Sequence, residues 1–451
     1  MNRIRKARML SALPLVVVLG ACNILTVRDP GRYDSKDLDD ALDAVANTVE
    51  GSAQAWADWY VIWQSLQSDM LMFTGYSFYE NTWGFVDEGR VDYGTYPTIG
   101  TNFTYLSRNF PDGVAQARWF ARESWDRLVA VDGESVAMSD AKGAQVLLGD
   151  ALLDMYSGLF SCEAVLEAAP SPMFADIQVY YKAAETFGRA LEVALNIDPE
   201  TLEDLDVDFA NAARTGRALM LMLGGDYEAA AAEAAAVPDG FTYNAIHTRS
   251  FLSYNEVYRY VSQSRVAGLM EWMWPRIDQT LSSSYVRDDF SGELDRRMPV
   301  WNRGWTGTDF ETPHYNPWKY DAIDAEIPIL HSGHARLIEA EAKVMSGDFA
   351  GATAILNNLR SHVGLAPRPV PTNEDDMMDV LLAERFAELF MEGHRMVDLH
   401  RFDMVRDVFE AMDDPIRRGI GRPSKFPGSQ REAQLNPGVE DEQAIRCAPV
   451  G

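Results

Sequence analysis

The sequence predicts an all-α protein in which tetratricopeptide-like helical hairpins form a scaffold under an irregular loop layer. Three observations carry that expectation. Ala210–Ala236 and Ile329–His362 each read as two amphipathic helices joined by the same phrase, Gly225-Asp226-Tyr227 in one and Gly347-Asp348-Phe349 in the other. Glycine supplies a left-handed C-cap, aspartate caps the next helix through its side-chain oxygen, and the aromatic ring wedges the pair together. Residues 141–235 are rich in alanine and leucine at helical spacing. Residues 75–105 and 240–325, by contrast, are crowded with aromatics, Gly, Asn and Arg and hold little helical period, as long surface loops do. The two hairpins lie far apart in the chain, so no tidy tandem array is expected.

In chain order, Arg3, Arg5, Lys6 and Arg8 precede an apolar stretch from Met9 to Leu19 that ends in Leu19-Gly20-Ala21-Cys22. That stretch is shorter than the roughly 20 apolar residues a bilayer span needs. The pattern matches a bacterial lipobox, in which the Cys22 thiol accepts a diacylglycerol; a plain secretory signal with a chance cysteine, or a short span, is the alternative. Residues 1–21 are therefore expected to be a signal peptide and 22–37 a tether from the lipid. The remainder, 38–451, reads as one domain with helical pairs at about 141–236 and 327–402. A helical pattern from about 40 to 70 places Trp56, Trp59, Tyr60 and Trp63 on one face. A second at 111–131 places Trp119, Phe120, Trp125 and Leu128 on one side.

Hydrophobic residues make up 47% and charged residues 24%, the proportions of a soluble globular body. The net charge is -28, and removal of the basic leader leaves the chain more acidic still. Such a surface repels phosphate backbones and anionic headgroups, which excludes nucleic acid as a partner and leaves membrane attachment to the lipid. With Cys22 acylated, Cys162 and Cys447 remain as a possible disulfide, permitted by export.

The segment Glu384-Arg385-Phe386-Ala387-Glu388-Leu389-Phe390-Met391-Glu392-Gly393-His394-Arg395, followed by Asp398-Leu399 and Arg401, resembles the signature of the RagB/SusD nutrient-uptake lipoproteins. Ile327-Pro328-Ile329 running into Arg336–Ala342 is similar to the family's preceding helix. Leu356-Asn357-Asn358-Leu359-Arg360 resembles its LN.(V/L)R segment, and Phe426-Pro427, Glu432 and Asn436-Pro437 its closing phrase, although Gly428-Ser429 replace the customary Ile-Pro. The resemblance is weakest in 70–105 and 240–320. It implies an outer-membrane lipoprotein facing the cell exterior, which binds oligosaccharide or peptide nutrients and delivers them to a TonB-dependent SusC-like transporter. It implies no enzyme activity and no cofactor.

Two other classes compete with that reading: a surface glycoside hydrolase and a scaffold lipoprotein that binds no small ligand. Glu384, Glu388 and Glu392 at i, i+4 and i+8 line one face of a helix, whereas a glycosidase needs carboxyls about 5–10 Å apart across a cleft. With Arg360, Arg385, Arg395, Arg401 and His394 nearby, they read instead as an ion-pair network. No nucleophile motif, Walker loop or HExxH is present. Asp204, Asp206 and Asp208 mimic the start of an EF-hand, but Phe209 stands where glycine is required. His331 and His334 could share a metal, yet Glu339 and Glu341 are poorly spaced to complete it, and no metal is expected. A sugar ring stacks its C–H face on Trp or Tyr and offers hydroxyls to Asn and Arg. Tyr79, Trp83, Trp301, Asn302, Arg303, Trp305 and Trp318 are therefore the candidate ligand-binding residues, with core packing the competing role for each Trp.

Overall fold

The computed structural model describes residues 38–75, 114–167, 170–203, 205–250, 253–280, 283–412, 425 and 436–439. The chain divides into two units, Met1–Leu42 and Asp43–Gly451. The expected signal, the lipobox at Cys22, Tyr79, Trp83 and Cys447 all lie outside the described residues. None of the described helices is long and apolar enough to cross a membrane.

Helices α1 (Leu42–Gln54) and α2 (Trp56–Gln67) follow the 40–70 pattern as two pieces, joined through Ala55, which keeps helical angles (φ -63, ψ -16). Every residue of α2 is buried, not only its aromatic face. A helix with apolar bulk all round has no wet side and becomes the centre of a body. Trp59 stacks on Trp63, and Tyr60 packs against Tyr156, Phe160 and His394. Strand β1 (Leu71–Phe73) follows.

Helix α3 (Val114–Asp132) turns a different face inward from the one its aromatics predict. Val114, Ala117, Arg118, Ala121, Ser124 and Leu128 are buried, while Trp119 is 59% exposed. Small residues let α3 lie close on α4 (Ala141–Phe160), and rings as large as Trp119 and Trp125 are left at the margin. A hairpin of β2 (Glu163–Val165) and β3 (Met173–Ala175) leads to α5 (Asp176–Asn196), α6 (Phe209–Leu223) and α7 (Tyr227–Ala235). Gly216 of α6 receives the buried Phe187 ring of α5, where a Cβ would stand 2.3 Å from that ring.

Residues 242–331 form the layer between the hairpins. It opens with β4 (Thr242–Ala245), continues through a π turn (Tyr258–Gln263), β5 (Ala267–Leu269) and a 3-10 turn (Glu271–Arg276), and then makes a three-stranded antiparallel sheet. The sheet strands are β6 (Ser283–Arg287), β7 (Leu294–Thr306) and β8 (Pro313–Pro317). The layer closes with β9 (Ile327–His331), which pairs antiparallel with β4, so its entrance and exit are tied together at the root. Trp301–Trp305 thus sit on a 13-residue strand rather than in a loop. Likewise Ile327-Pro328-Ile329 are strand, not the start of a helix; α8 begins at Ser332 (Ser332–Met345), with His331 as its N-cap. Branched Ile327 and Ile329 suit a pleated strand, and Pro328 blocks helical geometry for the residue before it.

Helix α9 (Phe349–His362) completes the second hairpin. Gly225 and Gly347 adopt φ of 90° and 79°, and Asp226 and Asp348 accept from the backbone N–H of Ala229 and Gly351, as the shared phrase predicts. Helix α7 packs directly on α8, so the hairpins are neighbours in space although the whole layer separates them in sequence. The scaffold therefore runs without interruption from α4 to α9, each helix packed on the next. Asp208, from the EF-hand-like run, caps α6 by accepting from Asn211 N–H. Helices α10 (Glu374–Glu388), α11 (Arg395–Arg401) and α12 (Val405–Glu410) close the body. From the tail, the fully buried Lys425 donates to Gly158 O, Asp176 and the Tyr180 hydroxyl, and Asn436 bonds the Ser171 backbone.

Candidate functional site

Contacts along β7 gather Trp301, Arg303 and Trp305 together, while Asn302 turns toward Gln279. The Arg303 guanidinium lies 3.0 Å from the ring centroid of Trp301, 4.5 Å from that of Trp305 and 5.8 Å from that of Trp318. Trp318 meets Trp301 edge to face at 3.9 Å between centroids, and Tyr258 adjoins Trp318. A second guanidinium, from Arg265, stands 5.3 Å from Trp305 and donates to Thr306 O. Five of the seven candidate ligand residues are among the described residues, four on β7 and Trp318 just past β8, and Trp301, Arg303, Trp305 and Trp318 form one aromatic–guanidinium cluster. Trp305 is 41% exposed, and Arg303 is exposed as well. Cation–π pairing presets these rings, and Trp305 keeps part of its surface in solvent.

Asn302 does something different. Its side-chain oxygen accepts from Gly304 N–H, and its amide approaches Gln279, which also accepts from the Tyr315 hydroxyl at 2.6 Å. Gly304 has φ of 67°, and the register of β7 against β8 shifts between Asn302 and Thr306. Asn302 therefore stabilises the bulge that tips Arg303 and Trp305 outward. Tyr315 and its neighbour Trp274, 5.1 Å away between centroids, extend an aromatic surface on the Asn302 side.

Behind the sheet lies the charged motif. Glu384 is buried in the last turns of α10 and accepts from Arg297 of β7 (2.9 Å), Arg360 of α9 (2.6 Å) and Arg368 (2.8 Å). Arg360 is in turn bidentate to Asp288, and Arg297 to Asp295. Glu388 receives only a 3.4 Å contact from Arg297. Glu392 does not continue that face, because α10 ends at Glu388 and Glu392 sits in the following turn. Met391 and Gly393 take φ of 57° and 81° there, and a Cβ on Gly393 would stand 2.6 Å from the Tyr60 ring.

Within that turn Glu392 accepts from Lys319 (2.5 Å) and His331 (2.8 Å), Lys319 also donates to Phe390 O, and the Tyr320 hydroxyl donates to Met391 O. The turn thereby grips the chain just beyond Trp318. Of the arginines expected to neutralise the glutamates, only Arg360 does so. Arg385 is bidentate to Asp398, Arg401 pairs with Glu341 and Asp398, and Arg395 is bidentate to Asp69. Burial works to raise the Asp398 carboxyl, but Arg385 and Arg401 outweigh it and hold it down at about 2. His394 is buried against Tyr60 and His334. Arg297, Arg368 and Lys319 escape sequence reasoning because their partners are remote in the chain; Lys319 alone had a signal, its place directly after the candidate Trp318.

Among the described residues are two clefts. One, of about 490 Å³, runs between α3, α4 and α5 and is lined by Arg122, Trp125, Asp150, Asp154, Thr186 and Arg189. The other, about 220 Å³, is lined by residues including Trp272, Arg276, Asp289 and Phe386. Cys162 is disulfide-bonded.

Comparison with known proteins follows the same line. The profile described as the SusD family matches residues 309–438. No curated protein matches the chain. A SusD superfamily protein from Bacteroides vulgatus ATCC 8482 has a TM-score of 0.67 at 13% identity, over 89% of this chain and 98% of that one. Another from Bacteroides thetaiotaomicron VPI-5482 has a TM-score of 0.60 at 14% identity, over 91% and 99%. A laminarin-binding SusD-like protein has a TM-score of 0.57 at 14% identity, over 88% and 98%. At such identities the likeness to these structures is one of fold.

Proposed function

We propose that the chain is a SusD-family protein that binds an oligosaccharide at the cluster of Trp301, Arg303, Trp305 and Trp318, without cleaving it. A peptide ligand is the variant reading, since Arg303 would equally take a carboxylate. In this reading Cys22 carries the lipid, the protein faces outward from the outer membrane, and a TonB-dependent SusC-like transporter receives the ligand. The observation that carries the proposal is the guanidinium-braced set of indole rings on and beside the sheet, of which Trp305 is 41% exposed. That one solved relative of the same fold binds laminarin makes laminarin the natural first probe.

Isothermal titration of the purified chain with laminarin and a panel of soluble glycans should give saturable binding to at least one of them. Trp305→Ala should weaken it roughly 10-fold or more, by analogy with the loss of a stacked ring. Chromatography of the same mixtures should show the glycan intact. Degraded glycan, or affinity indifferent to Trp305, would count against the proposal.

The tail belongs to the same reading. With Cys22 lipidated, Cys447 is the partner left for Cys162, and the bridge would reinforce the grip of Lys425 and Asn436 on the body. Peptide mapping without reductant should recover a Cys162–Cys447 pair. A bridge to Cys22 instead would remove both the pairing and the anchor.

A further inference from the structure

His331 at the N-cap of α8, His334 in its first turn and Glu392 from the turn after α10 each present one ligand atom, all within 4.8 Å of one another. Glu392 is the carboxylate that the two histidines lack within their own helix, and only the fold delivers it. We propose that His331, His334 and Glu392 bind a first-row divalent transition metal, with Zn²⁺ the best fit.

The donor set is the first ground. Two imidazoles and one carboxylate suit zinc and its neighbours and discriminate against Ca²⁺ and Mg²⁺, which want oxygen alone. Spacing is the second. Tetrahedral zinc with bonds near 2.0–2.1 Å sets its ligand atoms about 3.3 Å apart. His331 Nε2 lies 2.8 Å and His334 Nε2 3.9 Å from Glu392 Oε2, on either side of that value. The third is orientation. Lys319 holds Glu392 Oε1 at 2.5 Å, so Oε2 alone is turned to the histidines as a one-oxygen ligand. His334 is buried, and its Nδ1 has no hydrogen-bond partner. His394 Nε2 stands 2.9 Å from His334 Nε2, a further nitrogen at the edge of the group. The His331 side chain is 15% exposed and is the side from which an ion would enter.

Loading has a definite structural consequence. His331 Nδ1 accepts from Gly333 N–H at 3.0 Å, which leaves the ring proton on Nε2, facing Glu392. A metal at Nε2 takes that position; the ring proton moves to Nδ1, no net proton is lost, and the Gly333 N–H is released. The metal-bound protein gives up the Gly333 capping contact, the His331–Glu392 bond and the His334–His394 bond in exchange for its coordination bonds.

The test uses the full chain stripped with chelator and titrated with Zn²⁺, with Mg²⁺ and Ca²⁺ as controls. One equivalent of Zn²⁺ should bind with heat and raise the melting temperature, and the controls should do neither. His331→Asn retains a capping oxygen for Gly333 and should weaken Zn²⁺ binding by more than the roughly 10–100-fold that loss of a residue behind the ligands costs. His334→Gln should do the same. In the unmodified chain, Zn²⁺ should slow acylation of His331 by diethyl pyrocarbonate, a readout that does not depend on any variant folding. Absence of saturable Zn²⁺ binding, full affinity in both variants, or unchanged His331 acylation would each overturn the assignment.

Discussion

Glu384→Ala is expected to destabilise the fold by about 3–5 kcal/mol, the range for breaking a buried ion pair from one side. Three guanidinium groups converge on this carboxylate from β7, α9 and the 368 segment, and all four side chains are buried. Asp288, Asp289 and Asp295 can each keep one arginine, but none replaces the point at which the three meet. Glu388→Ala is the internal control. It loses one 3.4 Å contact from a partly exposed position and should cost about 0–1 kcal/mol, the range for weak surface pairs. Urea unfolding of both variants gives the comparison, and equal costs would mean that Glu384 is not the junction its geometry implies. Because Arg297 sits on the strand that carries Trp301 and Arg303, a folded remnant of Glu384→Ala should also bind glycan less well.

Acid should weaken the protein through His314. This imidazole, on β8, is buried with Nε2 3.0 Å from Ala267 O, and burial pushes its pKa down to about 4 from an ordinary value near 6.5. The folded protein therefore binds this proton less readily than the unfolded chain. The neutral ring contributes nothing extra against stability above about pH 6.5, and stability is lost as the pH falls from there toward 4. The shift corresponds to about 3 kcal/mol at most across that window. His314→Gln keeps an N–H for Ala267 O and does not titrate, so its stability should fall less steeply over the same range. Parallel slopes for the two proteins would show that His314 takes no part in acid unfolding. His247, likewise driven to about 4 by burial, adds to the same trend, whereas Asp150, raised first by burial and then by Asp154, opposes it. The comparison with the variant isolates the one ring.

The charged motif and the aromatic cluster emerge as one mechanical unit. Glu384 anchors β7 through Arg297, and the Phe390–Glu392 turn anchors the chain after β8 through Lys319 and Tyr320. The two tethers fix the strands on either side of Trp301 and Trp318. A signature that reads as a carboxylate row in sequence thus serves to position rings that lie some 70 to 90 residues earlier in the chain.

What the sequence determined by itself was local. The capped hairpins at Gly225-Asp226 and Gly347-Asp348 follow from backbone geometry and one side-chain hydrogen bond, both written within four residues. The motif at 384–401 carried the resemblance to the SusD family by residue identity alone. Tertiary structure decided what depends on remote neighbours: that α3 buries its alanines and not its tryptophans, that Ile327–Ile329 pair with β4, that Glu392 leaves the helix to meet Lys319 and His331, and that Trp301–Trp305 lie on a strand. The physical reason is the same in each case. Helix caps and turns are satisfied by atoms a few bonds away, whereas burial, strand pairing and ion-pair choice are settled by whichever groups the packed chain brings alongside.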